Sequence, residues 1–223
     1  MTPNSLPLSR EQIARRVARA MPDGAFVNLG IGLPDSVPDH IPDGIEIFLH
    51  SENGVLHIGP RPPQGEEDWD LINAGKQPVT LRTGGSYFDS SLSFAMMRGG
   101  HLDISVLGAF QVSERGDLAN WSTGAGDGIP AVGGAMDLAV GARQIWVMME
   151  HNARDGAPRI LRECHYPLTA RGVVKRVFTN LALLAVTEAG LLVEEILPGL
   201  SFEELQARTE ARLIPGAMQP LLG

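Results

Sequence analysis

Residues 45–54 have the sequence IEIFLHSENG, and this segment carries the clearest signal of the fold. Apolar and polar residues alternate in it and then give way to an apolar run, as in a strand that enters a core. The dipeptide Asn53-Gly54 is a strong turn signal, because both residues tolerate positive φ. The segment therefore predicts a buried strand and a tight turn, with Glu52 at the carboxyl edge of a sheet, where open α/β folds bind ligands.

Glu52 is the candidate for a chemical role in this turn. A carboxylate at a ligand-binding edge can attack an activated carbonyl and form a covalent acyl intermediate. The tetrapeptide alone also fits a second interpretation, in which Glu52 is a solvated turn residue with no chemical role.

The rest of the chain alternates between strand and helix signals. Ser9 and Gln12 form a capping-box pair that begins an amphipathic helix. Strands are predicted over residues 26–29, 79–81, 104–110 and 144–149, helices over 9–21, 89–98, 135–140, 171–182 and from 201, and a hairpin over 183–196. This order predicts one domain, residues 1–223, with an α/β fold: a three-layer αβα sandwich with a mostly parallel sheet.

Composition restricts the class of protein and its partners. With 43% hydrophobic and 20% charged residues, the chain has the make-up of an ordinary soluble globular domain. A net charge of -8 and the absence of a Lys/Arg block argue against nucleic acid as a partner. The single cysteine favours a reducing compartment, the first 21 residues predict no secretory signal, and no apolar run approaches the length of a membrane span. We therefore expect a cytoplasmic protein with no membrane partner.

Two glycine-rich turns are candidates for ligand binding. Gly30-Ile31-Gly32 lacks the third glycine and the acidic residue of a dinucleotide fingerprint, so a tight strand-exit turn is the simpler interpretation. Its amides could still hold a carboxylate or a phosphate. Gly133-Gly134 opens a predicted helix, whose free amides and dipole suit an anion or a developing oxyanion. A glycine pair needed only for close packing explains this second turn equally well.

Other common catalytic arrangements are disfavoured. The six histidines have no metal-ligand spacing, so we expect no metal site. Cys164 and His165 are adjacent and would point to opposite faces of a strand, which favours a structural cysteine. The chain has no G-x-S-x-G motif, which disfavours a serine hydrolase.

These segments together resemble the β subunit of the family I CoA-transferases, from about residue 8 to residue 214. The resemblance is carried by NLGIGLP (28–34), LHSENG (49–54), NAG (73–75), RGGHLD (98–103), LANW (118–121) and GGAMDL (133–138). The SENG block is specific to this subunit, and its combination with GGAMDL makes the match strong. The resemblance implies the CoA-transferase fold.

The resemblance also implies a reaction and a set of roles. Glu52 would attack the thioester of an acyl-CoA and form an acyl-glutamyl anhydride and then a glutamyl-CoA thioester, with ping-pong kinetics. An amide of Gly133 or Gly134 would stabilise the oxyanion. The substrate-pocket candidates are Asn28, Gly30, Gly32 and Asn53. Coenzyme A would be a substrate and no cofactor would be bound permanently.

The implied partner is an α subunit, which would supply a second oxyanion donor in an α2β2-type assembly. Within the family, four segments are most similar to the branch that transfers CoA from succinyl-CoA to 3-oxoadipate: GEED (65–68), INAGKQ (72–77), VLGAFQV (106–112) and IPAVGG (129–134). Enzymes of the acetoacetate type usually carry Lys-x-Gly-x-Gly-Gly at the last of these positions. Three alternatives stay open: a transferase for acetoacetate or another short acid, a thioester hydrolase with Glu52 as base, and a non-catalytic relative.

His57 departs from the family pattern, which usually has a small residue at this position. A bulky, titratable side chain there would narrow the site or change its response to pH. The alternative is that His57 faces solvent.

Overall fold

The computed structural model describes residues 6–124 and 132–223, so residues 129–131 of the IPAVGG segment lie outside the described residues. The α-helices of the described part are α1 (Arg10–Ala20), α2 (Ser90–Arg98), α3 (Ala135–Gly141) and α4 (Phe202–Ala207), and a 3-10 helix spans Leu33–His40. The strands are β1 (Phe26–Leu29), β2 (Phe48–Ser51), β3 (Val55–Ile58), β4 (Leu81–Tyr87), β5 (Ile104–Leu107), β6 (Gln111–Ser113), β7 (Leu118–Ala119), β8 (Gln144–Met148), β9 (Ile160–Leu161), β10 (Val174–Phe178), β11 (Ala182–Thr187), β12 (Gly190–Ile196) and β13 (Leu213–Pro220).

A ten-stranded sheet organises the molecule, with the strand order β13-β12-β11-β10-β8-β5-β1-β2-β3-β4. The centre is parallel, because β10, β8, β5, β1 and β2 all run in the same direction. Antiparallel pairs flank it, through β3 and β4 on one side and through β11 and β12 on the other. The expected α/β fold with a mostly parallel sheet is therefore confirmed. The assignment of residues 1–223 to one domain stays a prediction.

The helices pack in two groups. Helix α1 contacts the 3-10 helix and strands β8 and β10, whereas α2 packs against α3, which also contacts β5. Helix α1 has the expected capping box between Ser9 and Gln12, and its buried residues Ile13, Ala14, Val17 and Ala18 recur at helical spacing. Strand β5 is buried on both faces, as its apolar sequence predicts.

The expected helix over residues 171–182 is wrong, because this segment contains strand β10. Val174 and Val177 are β-branched and buried, and Lys175 between them is exposed. The segment pairs in parallel with β8 and antiparallel with β11, so it joins the parallel centre to the hairpin. The predicted strand over 104–110 also ends early, at Leu107.

Among the described residues, no helix is both long and apolar enough to cross a membrane.

Candidate active site

Glu52 lies in the turn of the β2–β3 hairpin, at the carboxyl end of a central strand. The turn is closed by a hydrogen bond from Gly54 N to Ser51 O at 3.0 Å. Gly54 has a φ of 111°, and a Cβ built on it would overlap the carbonyl oxygen of Phe88. Both the backbone conformation and the lack of space therefore require glycine directly after Asn53.

The residues on either side of Glu52 fix the turn to a neighbouring loop. Ser51 Oγ accepts a hydrogen bond from Ala74 N at 2.9 Å, and Asn53 Nδ2 donates to Ile72 O at 2.7 Å. The loop that carries Ile72 and Ala74 is thereby held against the hairpin. This bracing reduces the freedom of the Glu52 backbone before any ligand binds.

A cavity of about 440 Å³ opens at the carboxyl edge of the parallel strands, next to Glu52. Its walls come from the ends of β1, β2, β5 and β8 and from the beginning of α3. The described residues that line it are Asn28, Leu29, Gly30, Ile31, Leu33, Glu52, Ala74, Leu107, Gly108, Ala109, Phe110, Asn120, Val132, Gly133, Gly134, Ala135, Leu138, Met148, Met149 and Arg159. A volume of this size accommodates a small organic ligand.

Gly134 and Glu52 are in direct contact across this cavity. A Cβ built on Gly134 would overlap Glu52 Oε2 and would lie 2.8 Å from Glu52 Cδ. The φ of Gly134 is -78°, which any residue can adopt, so space and not backbone strain requires glycine here. Gly134 thus lies beside the carboxylate at the turn.

The Glu52 carboxyl is half-buried, and its pKa is raised above the ordinary value. Burial is the larger cause, and the negative charge of Asp137 is the second. Within the described part of the chain, Asp137 is paired with Arg98, whose Nε lies 2.6 Å from Asp137 Oδ1. No described residue donates a hydrogen bond to the Glu52 carboxylate. A poorly solvated carboxylate of this kind is more basic and more nucleophilic than one in water.

A buried polar network holds Asn28, one of the residues that line the cavity. Asn28 Nδ2 donates to the main-chain oxygen of His50 at 3.1 Å and lies 3.0 Å from His50 Nδ1, and His50 Nε2 lies 3.0 Å from Ser93 Oγ. Because Nδ1 accepts from the amide, the imidazole proton sits on Nε2 and is donated to Ser93. Burial lowers the pKa of His50 to about 4, so the ring is neutral at neutral pH. The network fixes the side-chain amide of Asn28, a residue that lines the cavity.

Arg159 brings a positive charge to the cavity wall. Its Nε donates to Phe110 O at 2.9 Å, its Nη2 to Ala109 O, and its Nη1 to Glu150 O at 3.5 Å. Burial lowers the pKa of its guanidinium, while the charge of Glu150 acts in the opposite direction. No sequence pattern indicated Arg159, and Asn120 was indicated only as part of the LANW segment. Arg159 has no local motif, because its contacts to Ala109 and Phe110 lie about 50 positions away in the chain.

Most of the site residues expected from sequence come together. Glu52, Asn28, Gly30, Gly133 and Gly134 all line the same cavity. The roles assigned to them stay predictions.

Gly32 and Asn53 are not brought into the cavity. Gly32 has a φ of 101° and donates its N–H to Asp35 Oδ2 at 2.9 Å, at the beginning of the 3-10 helix. The Asn53 amide is directed to Ile72 O instead. Both residues therefore have a structural use in the fold, and their expected contact with substrate stays a prediction.

His57 does not line the cavity and does not face solvent, so the expected narrowing and the solvent-facing alternative are both wrong. It is 5% exposed, and its ring packs against Phe48 with the ring centroids 4.8 Å apart. Its φ of 64° belongs to an irregularity in the pairing of β3 with β4. A carboxylate oxygen of Glu46 lies 3.6 Å from His57 Nε2.

Among the described residues, neither a metal-binding cluster nor an activated thiol accompanies this cavity. Within residues 6–124 and 132–223, no group of three or more His, Cys, Asp or Glu side chains could hold a metal ion. Burial and the charge of Asp117 raise the pKa of the Cys164 thiol to about 12, so this thiol is protonated at neutral pH. Such a thiol is a poor nucleophile.

Comparisons with known proteins agree with this geometry. A sequence model of the family described as Coenzyme A transferase matches residues 10–208. The chain is 59% identical over 207 residues to the subunit designated B of 3-oxoadipate CoA-transferase from Pseudomonas putida, and the match covers 93% of this chain and 97% of the relative. It is 46% identical over 204 residues to the beta subunit of acetate CoA-transferase from Escherichia coli, with 92% and 93% covered.

Solved structures show the same fold. The acyl-CoA transferase YdiF of Escherichia coli, crystallised as the apoenzyme, superposes with a TM-score of 0.73 at 21% sequence identity. The match covers 99% of this chain and 44% of that longer chain.

Proposed function

This chain belongs to the coenzyme A transferase family, and we propose that it is the subunit that transfers CoA from succinyl-CoA to 3-oxoadipate through a covalent intermediate on Glu52. The observation that carries the proposal is the position of the Glu52 carboxylate, half-buried in the cavity and in contact with Gly134. The choice of 3-oxoadipate is supported by the identity of 59% to the Pseudomonas putida relative that is named for this acid.

The proposed reaction begins with attack of a Glu52 oxygen on the thioester carbonyl of succinyl-CoA. The C–S bond breaks, and the products are an acyl-glutamyl anhydride and the CoA thiolate. The thiolate then attacks Glu52 Cδ, the bond to the succinyl oxygen breaks, and succinate leaves. Glu52 is now a glutamyl-CoA thioester.

The second half of the reaction repeats these steps in reverse. A carboxylate oxygen of the acceptor acid attacks Glu52 Cδ and displaces the CoA thiolate, which gives a new anhydride. The thiolate attacks the acyl carbonyl of the acceptor, and Glu52 is released as a carboxylate. The carbonyl stays activated throughout, so no ATP is consumed.

Each attack creates an oxyanion, and the backbone amides of Gly133 and Gly134 are its proposed donors. Neither N–H donates a hydrogen bond to another described residue, and both glycines line the cavity beside Glu52. One preorganised donor of this kind contributes about 3–4 kcal/mol to stabilisation of a transition state.

We propose that an α subunit completes the site in an α2β2-type assembly in the cytoplasm. The relatives are named as one subunit of a transferase, which supports a second type of subunit. Two apolar side chains of the cavity wall, Ile31 and Phe110, are 66% and 38% exposed, and a partner chain would cover them. The single cysteine suits a reducing compartment.

Steady-state kinetics of the chain co-expressed with its α subunit tests the function. With succinyl-CoA and 3-oxoadipate varied together, double-reciprocal plots should be parallel, and 3-oxoadipyl-CoA should form in an amount equal to the succinyl-CoA consumed. Release of free CoA without acceptor acid would identify a hydrolase and overturn the proposal. A strong preference for acetoacetate over 3-oxoadipate would overturn the choice of acid alone.

A further inference from the structure

Among the described residues that line the cavity, only Glu52 and Arg159 carry a charge. The other lining residues are apolar, glycine or asparagine. The acids in the proposed reaction, succinate and 3-oxoadipate, carry a second carboxylate that takes no part in the transfer. Burying that carboxylate without a partner would cost several kcal/mol, so the cavity must offer a compensating group.

We propose that the guanidinium of Arg159 binds this distal carboxylate and thereby selects dicarboxylic over monocarboxylic acyl groups. This inference rests on the proposed function, because it assigns a residue to the far end of the same substrates. Arg159 is then a specificity-determining residue, and Glu52 remains the residue that reacts.

Among the described residues, Arg159 is a half-buried cation that has no counter-ion. Within the described chain it forms no ion pair, and the side chain of Glu150, whose charge acts on it, lies 3.6 Å from Arg10 instead. A half-buried, unpaired cation at a ligand cavity is a favourable site for an anion, since a ligand carboxylate would neutralise it.

The guanidinium has donors left for a ligand and is held rigidly. An arginine has five N–H groups, and three carbonyl oxygens, those of Ala109, Phe110 and Glu150, accept one each. The two remaining N–H groups, one on each terminal nitrogen, bond to no described residue. Because the carbonyls already fix the plane of the guanidinium, binding a carboxylate orders few further torsions.

Glu52 and Arg159 reach the cavity from different elements, Glu52 from the β2–β3 turn and Arg159 from the segment directly before β9. In the proposed complex, a dicarboxylic acyl group has one carboxyl at the reacting glutamate and the other at the cation.

The contacts to Ala109 and Phe110 suggest a competing role, in which Arg159 only holds the cavity wall. A pair of acceptor acids separates the two roles. 3-Oxoadipate and 3-oxohexanoate have the same chain length and differ in the distal carboxylate alone. In ping-pong kinetics, kcat/KM of the acceptor does not depend on the donor, so each acid reports only on its own half-reaction.

The test uses the enzyme reconstituted with its α subunit and the variants Arg159→Gln, Arg159→Lys and Arg162→Gln. The last is the matched control, because Arg162 is exposed and does not line the cavity. Arg159→Gln should lower kcat/KM for 3-oxoadipate about 10–100-fold, as expected for a lost charge-assisted hydrogen bond, and should change the value for 3-oxohexanoate less than threefold, or about 0.6 kcal/mol. Arg159→Lys, which keeps the charge, should retain part of the preference.

Three other outcomes overturn the inference in distinguishable ways. Equal losses for both acids would show that Arg159 only supports the wall. A wild-type enzyme that transfers CoA to both acids equally well would show that no group selects the distal carboxylate, while the transferase function stands. A wild-type enzyme with no transfer to either acid would overturn the proposed function together with the inference.

Discussion

At the scale of single residues, the proposed chemistry depends on the contact between Glu52 and Gly134. Gly134 has an ordinary φ, so its side chain is missing only because the carboxylate occupies that space. The variant Gly134→Ala should therefore fold normally and displace Glu52. We expect kcat to fall about 100-fold, as is typical of a displacement of about 1 Å at a reacting group.

Steady-state kinetics and thermal unfolding of the Gly134→Ala variant would check this together. A loss of activity accompanied by an unchanged unfolding temperature supports the prediction. Wild-type activity would show that the space beside Gly134 is not used by the reacting carboxylate.

Single residues also show which parts of the site could be predicted from the sequence. Glu52 and the two glycines were found because each belongs to a local pattern, a turn after a strand or a helix start. Arg159 and the burial of His57 could not be found in this way. Both depend on contacts between segments that are distant in the chain, and no alternation or spacing reports such contacts.

At the scale of elements, one buried hydrogen bond joins α2 to the sheet. Ser93 on α2 and Ser105 on β5 are both fully buried, but only Ser93 has a partner, His50 Nε2. Ser105 Oγ has no hydrogen bond in the described part of the chain. The two serines therefore make a matched pair for measuring what a satisfied hydroxyl contributes.

We expect Ser93→Ala to lower the free energy of unfolding by about 1–3 kcal/mol, because it leaves the imidazole N–H of His50 unpaired. Ser105→Ala should leave it unchanged or raise it by about 1 kcal/mol, because it removes an unsatisfied polar group. Urea unfolding of both variants checks the pair. Equal destabilisation by the two substitutions would contradict the assigned network.

Elements with local signals were predicted correctly, and elements defined by pairing were not. Helices α1 and α4 have capping boxes, and the β11–β12 hairpin has two apolar runs joined by a short connection. Both kinds of signal are visible in a short window. Strand β4 is mostly exposed and contains Gly84 and Gly85, and β10 has a sequence that also suits a helix. Such strands are fixed by their neighbours in the sheet, so tertiary pairing overrides the local preference.

At the scale of the whole molecule, two buried histidines couple stability to pH. Burial is the main cause that lowers the pKa of both His50 and His151 to about 4, from an ordinary value of 6.5. Between these values the unfolded chain binds protons that the folded chain does not, so folding is weakened as the pH falls. Each histidine contributes up to about 3 kcal/mol to this loss. The raised pKa values of Glu52 and Asp35 act in the opposite direction and offset part of it.

We therefore expect the urea midpoint to fall as the pH is lowered from about 6.5 to 4. Both ring nitrogens of His151 form hydrogen bonds, Nδ1 with the hydroxyl of Thr179 and Nε2 with that of Thr209. The variant His151→Gln should weaken the pH dependence of the urea midpoint. The control is His101→Gln, because His101 is exposed and should leave the slope unchanged. A midpoint that is independent of pH in the wild type would contradict the prediction.

The whole-molecule fold was predictable as a class, because strands and helices alternate and the central strands are apolar. The location of the cavity followed from the parallel centre, since ligands bind where the carboxyl ends of such strands meet. The sequence could not indicate which side chains complete the cavity walls.

The proposed reaction requires a covalent bond between CoA and Glu52. The most direct measurement is mass spectrometry of the chain, purified with its α subunit, incubated with succinyl-CoA and then treated with borohydride. We expect the peptide that contains Glu52 to carry CoA before reduction and the corresponding alcohol after it, and neither product in Glu52→Gln. Turnover of succinyl-CoA with no modification of Glu52, or with CoA attached to a different residue, would contradict the claim.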